Sequence, residues 1–160
     1  MRIIKKVVLI LLLLAISINI SCESNYGVDE IMFFYAAIGK SDYGKVKRYI
    51  KKYPKIVNSG FTIYGQETTP LGAAFSINEI KIAKLLLENG ANINHQDNYG
   101  ISILHLFIKA GETERVKLLL ELGADITAKD NFGMNVYHYA LYHPSIEMLN
   151  LLYKYNKNID

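Results

Sequence analysis

Cysteine is nearly absent. Cys22 is the only one in the 160-residue chain, so no internal disulfide can hold the fold. Surplus charge is missing as well. The chain carries 18 basic and 15 acidic residues, and Arg2, Lys5 and Lys6 supply the whole excess, with no acid before Glu23. A balanced body has no overall electrostatic footprint for nucleic acid, so no nucleic-acid partner is expected. Catalytic signatures are lacking too. There is no glycine-rich phosphate loop and no G-x-S-x-G elbow. His95 and His143 have no second histidine at i+3 or i+4, so no zinc motif follows. No metal, no cofactor and no enzymatic activity are expected. The apolar share is ordinary at 51%, enough for a core and against bulk disorder. The length fits one domain with an extension.

The extension lies at the N-terminus. After the basic start, Val7 to Ile20 are apolar apart from Ser17 and Asn19. As a helix this run would reach roughly 21 Å, short of the ~30 Å hydrocarbon core. A basic start, an apolar run and the small Ser21 have the layout of a secretory signal peptide over residues 1–21, followed by a short tether over 22–28. "NISC" (19–22) resembles the bacterial lipobox, in which the cysteine receives lipid after cleavage. Ser21 fits that pattern, whereas Asn19 and Ile20 depart from the usual Leu and small residue. The resemblance implies an exported protein held to a bacterial membrane through Cys22, facing the periplasm or the cell surface. The plainer reading makes Cys22 a chance residue behind an ordinary signal peptide or an uncleaved anchor. A reactive thiol has little support, since no neighbour in sequence would lower its pKa.

The rest of the chain repeats. "AKLLLENGANIN" (83–94) returns as "VKLLLELGADIT" (116–127) and, altered, as "LNLLYKYNKNID" (149–160), at intervals of 33 residues. "TTPLGAA" (68–74), "ISILHLF" (101–107) and "MNVYHYA" (134–140) keep the same period. Asn78, Gly111 and Pro144 do so as well, each a turn former between two apolar stripes. Leu71, Ala74 and Phe75 form one stripe at helical spacing, and Ile82, Leu85 and Leu86 another. Gly90 and Gly123 stand where a left-handed cap would end the second helix. Helices this short bury their stripes only against neighbouring units, which is the logic of a solenoid.

A 33-residue helix-turn-helix with this wording resembles the ankyrin repeat, whose T-P-L-H-x-A signature is echoed in "TTPLGAA". The resemblance covers about residues 30–160. It implies an all-α ankyrin-repeat solenoid of about four helix-turn-helix units with projecting loops. The domain is expected over 29–160, in units of about 29–64, 65–98, 99–131 and 132–160. The first unit is degenerate, with extra residues around Gly60–Glu67. Gly72 replaces the signature His, and Ile103 and Val136 replace the Pro. His105 and His138 occupy the signature His position, which implies structural hydrogen bonding. Equivalent residues of packed helices lie about 10 Å apart, too far to share a metal. Tyrosines crowd the last unit (Tyr137, Tyr139, Tyr142, Tyr153 and Tyr155), as a cap whose rings cover the core while hydroxyls meet water.

The resemblance also places partner contacts. Loop-tip positions map to Gln96, Asn98, Tyr99 and Ile101, and to Lys129, Asn131, Phe132 and Met134. First-helix positions include Ile77, Lys109 and Tyr142. Phe61 and Tyr64 in the long first loop would extend the apolar strip. Ile101 and Met134 have two readings: part of an exposed ridge, or packing against the neighbouring loop. A further surface lies in "KSDYGKVKRYIKKYPK" (40–55), with seven basic residues against Asp42. Lys45, Arg48 and Lys52 share one helical face. That face is either a solvated exterior or a contact with anionic lipid. The expected function is a non-catalytic protein–protein interaction module, monomeric and anchored to a membrane by lipid, with an unknown protein partner. The alternative is a periplasmic accessory or inhibitor subunit that modulates a partner enzyme.

Overall fold

The computed structural model describes residues 27–63 and 66–157. The signal peptide, Cys22 with most of the tether, and Tyr64 lie outside the described residues. The chain divides into two compact units, Met1–Ala91 and Asn92–Asp160. Among the described residues the structure is mostly helical, with eight α-helices. None of them is long and apolar enough to cross a membrane.

The first unit holds two helical pairs. Helix α1 (Val28–Gly39) and α2 (Tyr43–Lys52) are joined at Ser41, and α3 (Pro70–Ser76) and α4 (Ile80–Glu88) at Asn78. Both joints have positive φ, +56° and +62°. That conformation lets the next amide reach back to close the helix end: Asp42 N–H donates to Ala37 O and Glu79 N–H to Ala74 O, each at 2.9 Å. Asp42 caps α2 by accepting from Lys45 N–H at 2.9 Å, and Thr69 caps α3 by accepting from Gly72 N–H at 3.1 Å. The threonine cap therefore survives the loss of the signature histidine at Gly72. α1 packs on α3 and α2 on α4, and the apolar stripes close into a core of Phe34, Ile38, Val46, Leu71, Phe75, Ile82 and Leu86.

The extra residues between the pairs are not plain loop. After a short 3₁₀ turn (Pro54–Asn58), β1 (Phe61–Ile63) pairs antiparallel with β2 (Gln66–Thr68). Tyr35 from α1 holds this hairpin: its hydroxyl lies 2.7 Å from Ser59 O and 2.8 Å from Thr68 O. Its ring meets Phe61 edge-on at 4.4 Å.

The second unit repeats the design. Helix α5 (Ile103–Lys109) and α6 (Thr113–Glu121) turn at Gly111 with φ +72°. Helix α7 (Val136–Ala140) precedes α8 (Ile146–Asn156). α5 packs on α7 and α6 on α8 around Leu104, Ile108, Val116, Leu119, Val136, Met148 and Leu152. Gly90 and Gly123 do end their helices in the left-handed region, at φ +87° and +92°. The fourth turn departs from the others. Pro144 cannot take a positive φ, and no left-handed residue joins α7 to α8. The chain instead restarts with Ser145 as the cap of α8.

Candidate partner-binding surface

Two loops of the second unit are built by the same device. In the first, Asp97 Oδ1 accepts from Tyr99 N–H and Ile101 N–H, both at 2.9 Å. In the second, Asp130 Oδ1 accepts from Phe132 N–H and Met134 N–H, also at 2.9 Å. Each aspartate folds its own loop into a tight turn, the short-range bonding that Asp favours. Gly100 and Gly133 close the turns at φ +76° and +78°. Backbone bridges Gln96–Ser102 and Lys129–Asn135 seal the loop bases.

The two loops are then laced together. Gln96 Nε2 donates to Gly100 O at 2.6 Å within its loop and to Lys129 O at 2.9 Å across the gap. Asn131 N–H donates to Tyr99 O at 2.9 Å, and its side-chain amide to Asn98 O at 3.0 Å. Asp125 N–H donates to Asn94 Oδ1 at 2.8 Å. Gln96 and Asn131, assigned to partner contact from the sequence, thus also build the loop pair. Gly100 is needed where the loops meet: a Cβ there would sit 2.7 Å from Asn131 N.

Beneath the loops lies a buried polar cluster. His105 is fully buried; its Nδ1 accepts from Ser102 N–H at 3.2 Å. Nε2 then carries the proton and donates to Ala128 O at 3.2 Å. Burial pushes the His105 pKa down, against the Ala128 bond and nearby carboxylates. Tyr139 donates to Asp130 Oδ2 at 2.8 Å. Burial and the adjacent Asp130 carboxylate raise the Tyr139 pKa strongly. Burial alone would raise the Asp130 pKa, but the amides of Met134 and Phe132 and the Tyr139 hydroxyl hold it below its usual value. The structural role expected of His105 is what the geometry gives. His138 is exposed and its Nδ1 lies 2.7 Å from Asn135 Oδ1 at the cap of α7. No metal-ligating group of three side chains occurs among the described residues.

What this framework presents is apolar. Tyr99 is half exposed and Phe132 is 74% exposed, while Ile101 and Met134 beside them are half-buried. The Lys109 ammonium sits 4.9 Å over the exposed Tyr142 ring, a cation–π contact.

A family profile described as ankyrin repeats (three copies) matches residues 71–160. The chain belongs to the ankyrin-repeat family. Ankyrin repeats form a protein–protein interaction module, and the family is typically non-catalytic. No curated protein matches the chain. The α1–α2 pair lies before the matched residues, yet it has the same helix–turn–helix build as the repeats that follow it.

The remaining predicted positions fall as follows. Ile77 is exposed at the end of α3. Phe61 is half-buried against Tyr35, and Tyr64 lies outside the described residues. Lys45, Arg48 and Lys52 are all exposed on α2, but Lys45 pairs with Asp42 at 3.7 Å. The tyrosine cap is only partly what the sequence suggested. Tyr139 is core, and the outer face of α8 shows Ile146 (80% exposed), Leu149 and Tyr153. Sequence reasoning missed Leu106 and Phe33, both exposed. Helix α5 is apolar at every position but His105 and Lys109, so no polar face marked Leu106 as outward. The signal was present as an excess of apolar residues over what one stripe can use.

Proposed function

We propose that this ankyrin-repeat protein is an anchored adaptor that takes a protein partner on the Tyr99–Phe132 loop ridge. The observation that carries this is the contrast between a rigid base and an apolar tip. The loops are braced by cross-loop hydrogen bonds, yet they hold two aromatic rings in solvent. A braced loop spends little conformational entropy on binding, and aromatic anchors contribute much of the energy at interfaces. Exposed Lys129 and Asn98 beside the rings supply the polar rim that such patches have.

The anchor is Cys22. Its place directly after the apolar run and Ser21, and its uniqueness, support lipid attachment and export. The binding reading stands without the anchor, and the anchor stands without the ridge.

The binding reading is tested by Tyr99→Ala with Phe132→Ala. Both rings are exposed, so helix content by circular dichroism should be unchanged. Affinity for a captured partner should fall by more than tenfold, about 1.4 kcal/mol. A folded double variant that binds within threefold removes the ridge as the site.

A further inference from the structure

The outer side of the first helical pair carries a notch unrelated to the loop ridge. It is a shallow, open hollow of about 210 Å³ lined by Glu30, Phe33, Arg48, Tyr49, Lys52 and Tyr53. Small-molecule pockets run roughly 300–1,000 Å³ and enclose most of their ligand. This hollow is smaller and open, so it suits a group presented to it from a surface. Its wall is aromatic: Tyr49 and Tyr53 stack with centroids 6.4 Å apart. Lys52 Nζ lies 4.8 Å over the Tyr53 ring. Arg48 and Lys52, one helical turn apart, bring two cations. Among the described residues no carboxylate forms an ion pair with either of them. The one acid in the lining, Glu30, accepts from Gly27 N–H at 3.0 Å at the start of α1. At the rim Phe33 is 63% exposed. Lys47, Lys51 and Lys55 are exposed nearby in sequence.

We infer that this notch docks the protein on an anionic bilayer, with a lipid headgroup phosphate between Arg48 and Lys52 and Phe33 in the headgroup–acyl boundary. This rests on the membrane reading above and deepens it. An apolar ring, interfacial tyrosines and two cations that outnumber the single Glu30 carboxylate are the combination that a bilayer interface selects. A partner that offered acidic groups alone would leave Phe33 without a contact. Of the basic trio read from the sequence, Lys45 stands apart, paired with Asp42, and Arg48 and Lys52 form the site.

The chain has no tryptophan, so Phe33→Trp gives a background-free reporter in the full-length protein. The protein is mixed with phosphatidylcholine vesicles or with vesicles containing phosphatidylglycerol, and both flotation and the emission of the introduced indole are read. Docking predicts a blue shift, and quenching by brominated lipid, only with phosphatidylglycerol. Arg48→Gln with Lys52→Gln in that background should lower the partition constant onto phosphatidylglycerol vesicles by about thirtyfold, the effect of two cations at a typical anionic surface. The charge-matched Lys81→Gln with Lys117→Gln should keep the shift. Raising the salt should reverse it.

Protein that floats on both vesicles while the indole stays in water overturns the docking and leaves the anchor intact. Protein that does not float on phosphatidylcholine counts against the anchor, and the response of its indole to phosphatidylglycerol still decides the docking. Equal loss of the shift in the two charge pairs would overturn the notch in favour of diffuse charge. A shift with glycerol phosphate alone would overturn the bilayer assignment.

Discussion

The Tyr139 hydroxyl donates to Asp130 Oδ2 at 2.8 Å, while Asp130 Oδ1 takes the amides of Phe132 and Met134. One buried carboxylate therefore ties the core of the last repeat to the loop that displays Phe132. Tyr139→Phe removes the hydroxyl and leaves Oδ2 buried without that donor. The expected cost is about 1–3 kcal/mol, read by urea unfolding. An unchanged midpoint would show that the pair is not stabilising.

Acid should lower the stability of the protein over two pH ranges. The folded state resists protonating His105, whose pKa lies below its ordinary 6.5 chiefly through burial. The unfolded chain binds that proton first, so this contribution is full above about pH 6.5 and is lost as pH falls. Asp130 also has a lowered pKa, set against an ordinary 3.8. Its contribution is present above that value and disappears as pH drops through the folded pKa. Stability measured from pH 7.5 to 3 should decline below about 6.5 and again below about 3.8. His105→Gln should flatten the mild-acid part alone. A His105→Gln profile parallel to wild type would contradict this assignment.

Gly100→Ala should destabilise more than Gly90→Ala. Both glycines have positive φ, which costs an L-residue about 1–2 kcal/mol. At Gly90 a Cβ meets open space, whereas at Gly100 it would strike Asn131 N. The difference in thermal midpoint between the two variants isolates the loop-to-loop contact. Equal midpoints would mean that the loops give way freely.

Much of this architecture was legible in the sequence. The 33-residue period gave the last three units, and Gly90 and Gly123 marked helix ends because only a left-handed residue closes them cheaply. The hairpin at Phe61–Thr68 was not legible, since a three-residue strand is too short to show alternation. Its brace, Tyr35, lies far back in the chain, in α1. The dual role of Gln96 and Asn131 was hidden for a similar reason: their bonds cross a full repeat. Phe33 escaped notice because α1 is apolar around much of its circumference, and periodicity cannot say which residue is left outside.

Lipid attachment is checked by metabolic labelling with a fatty-acid analogue. The wild-type chain should take label and stay with membranes; Cys22→Ser should take none. A single acyl chain binds marginally and two bind stably, so the wash resistance of the wild-type chain reports how many are added. Equal labelling of the two proteins would exclude Cys22 as the anchor.

The central claim is that the loop ridge meets a partner protein. Site-specific photocrosslinking in native cells addresses it directly, with a photoreactive residue at Phe132 in one strain and at Lys117, exposed on α6, in another. The account predicts a discrete crosslinked species from position 132, reduced by Tyr99→Ala, and none from position 117. Crosslinks of equal yield at both positions, or from 117 alone, would contradict it.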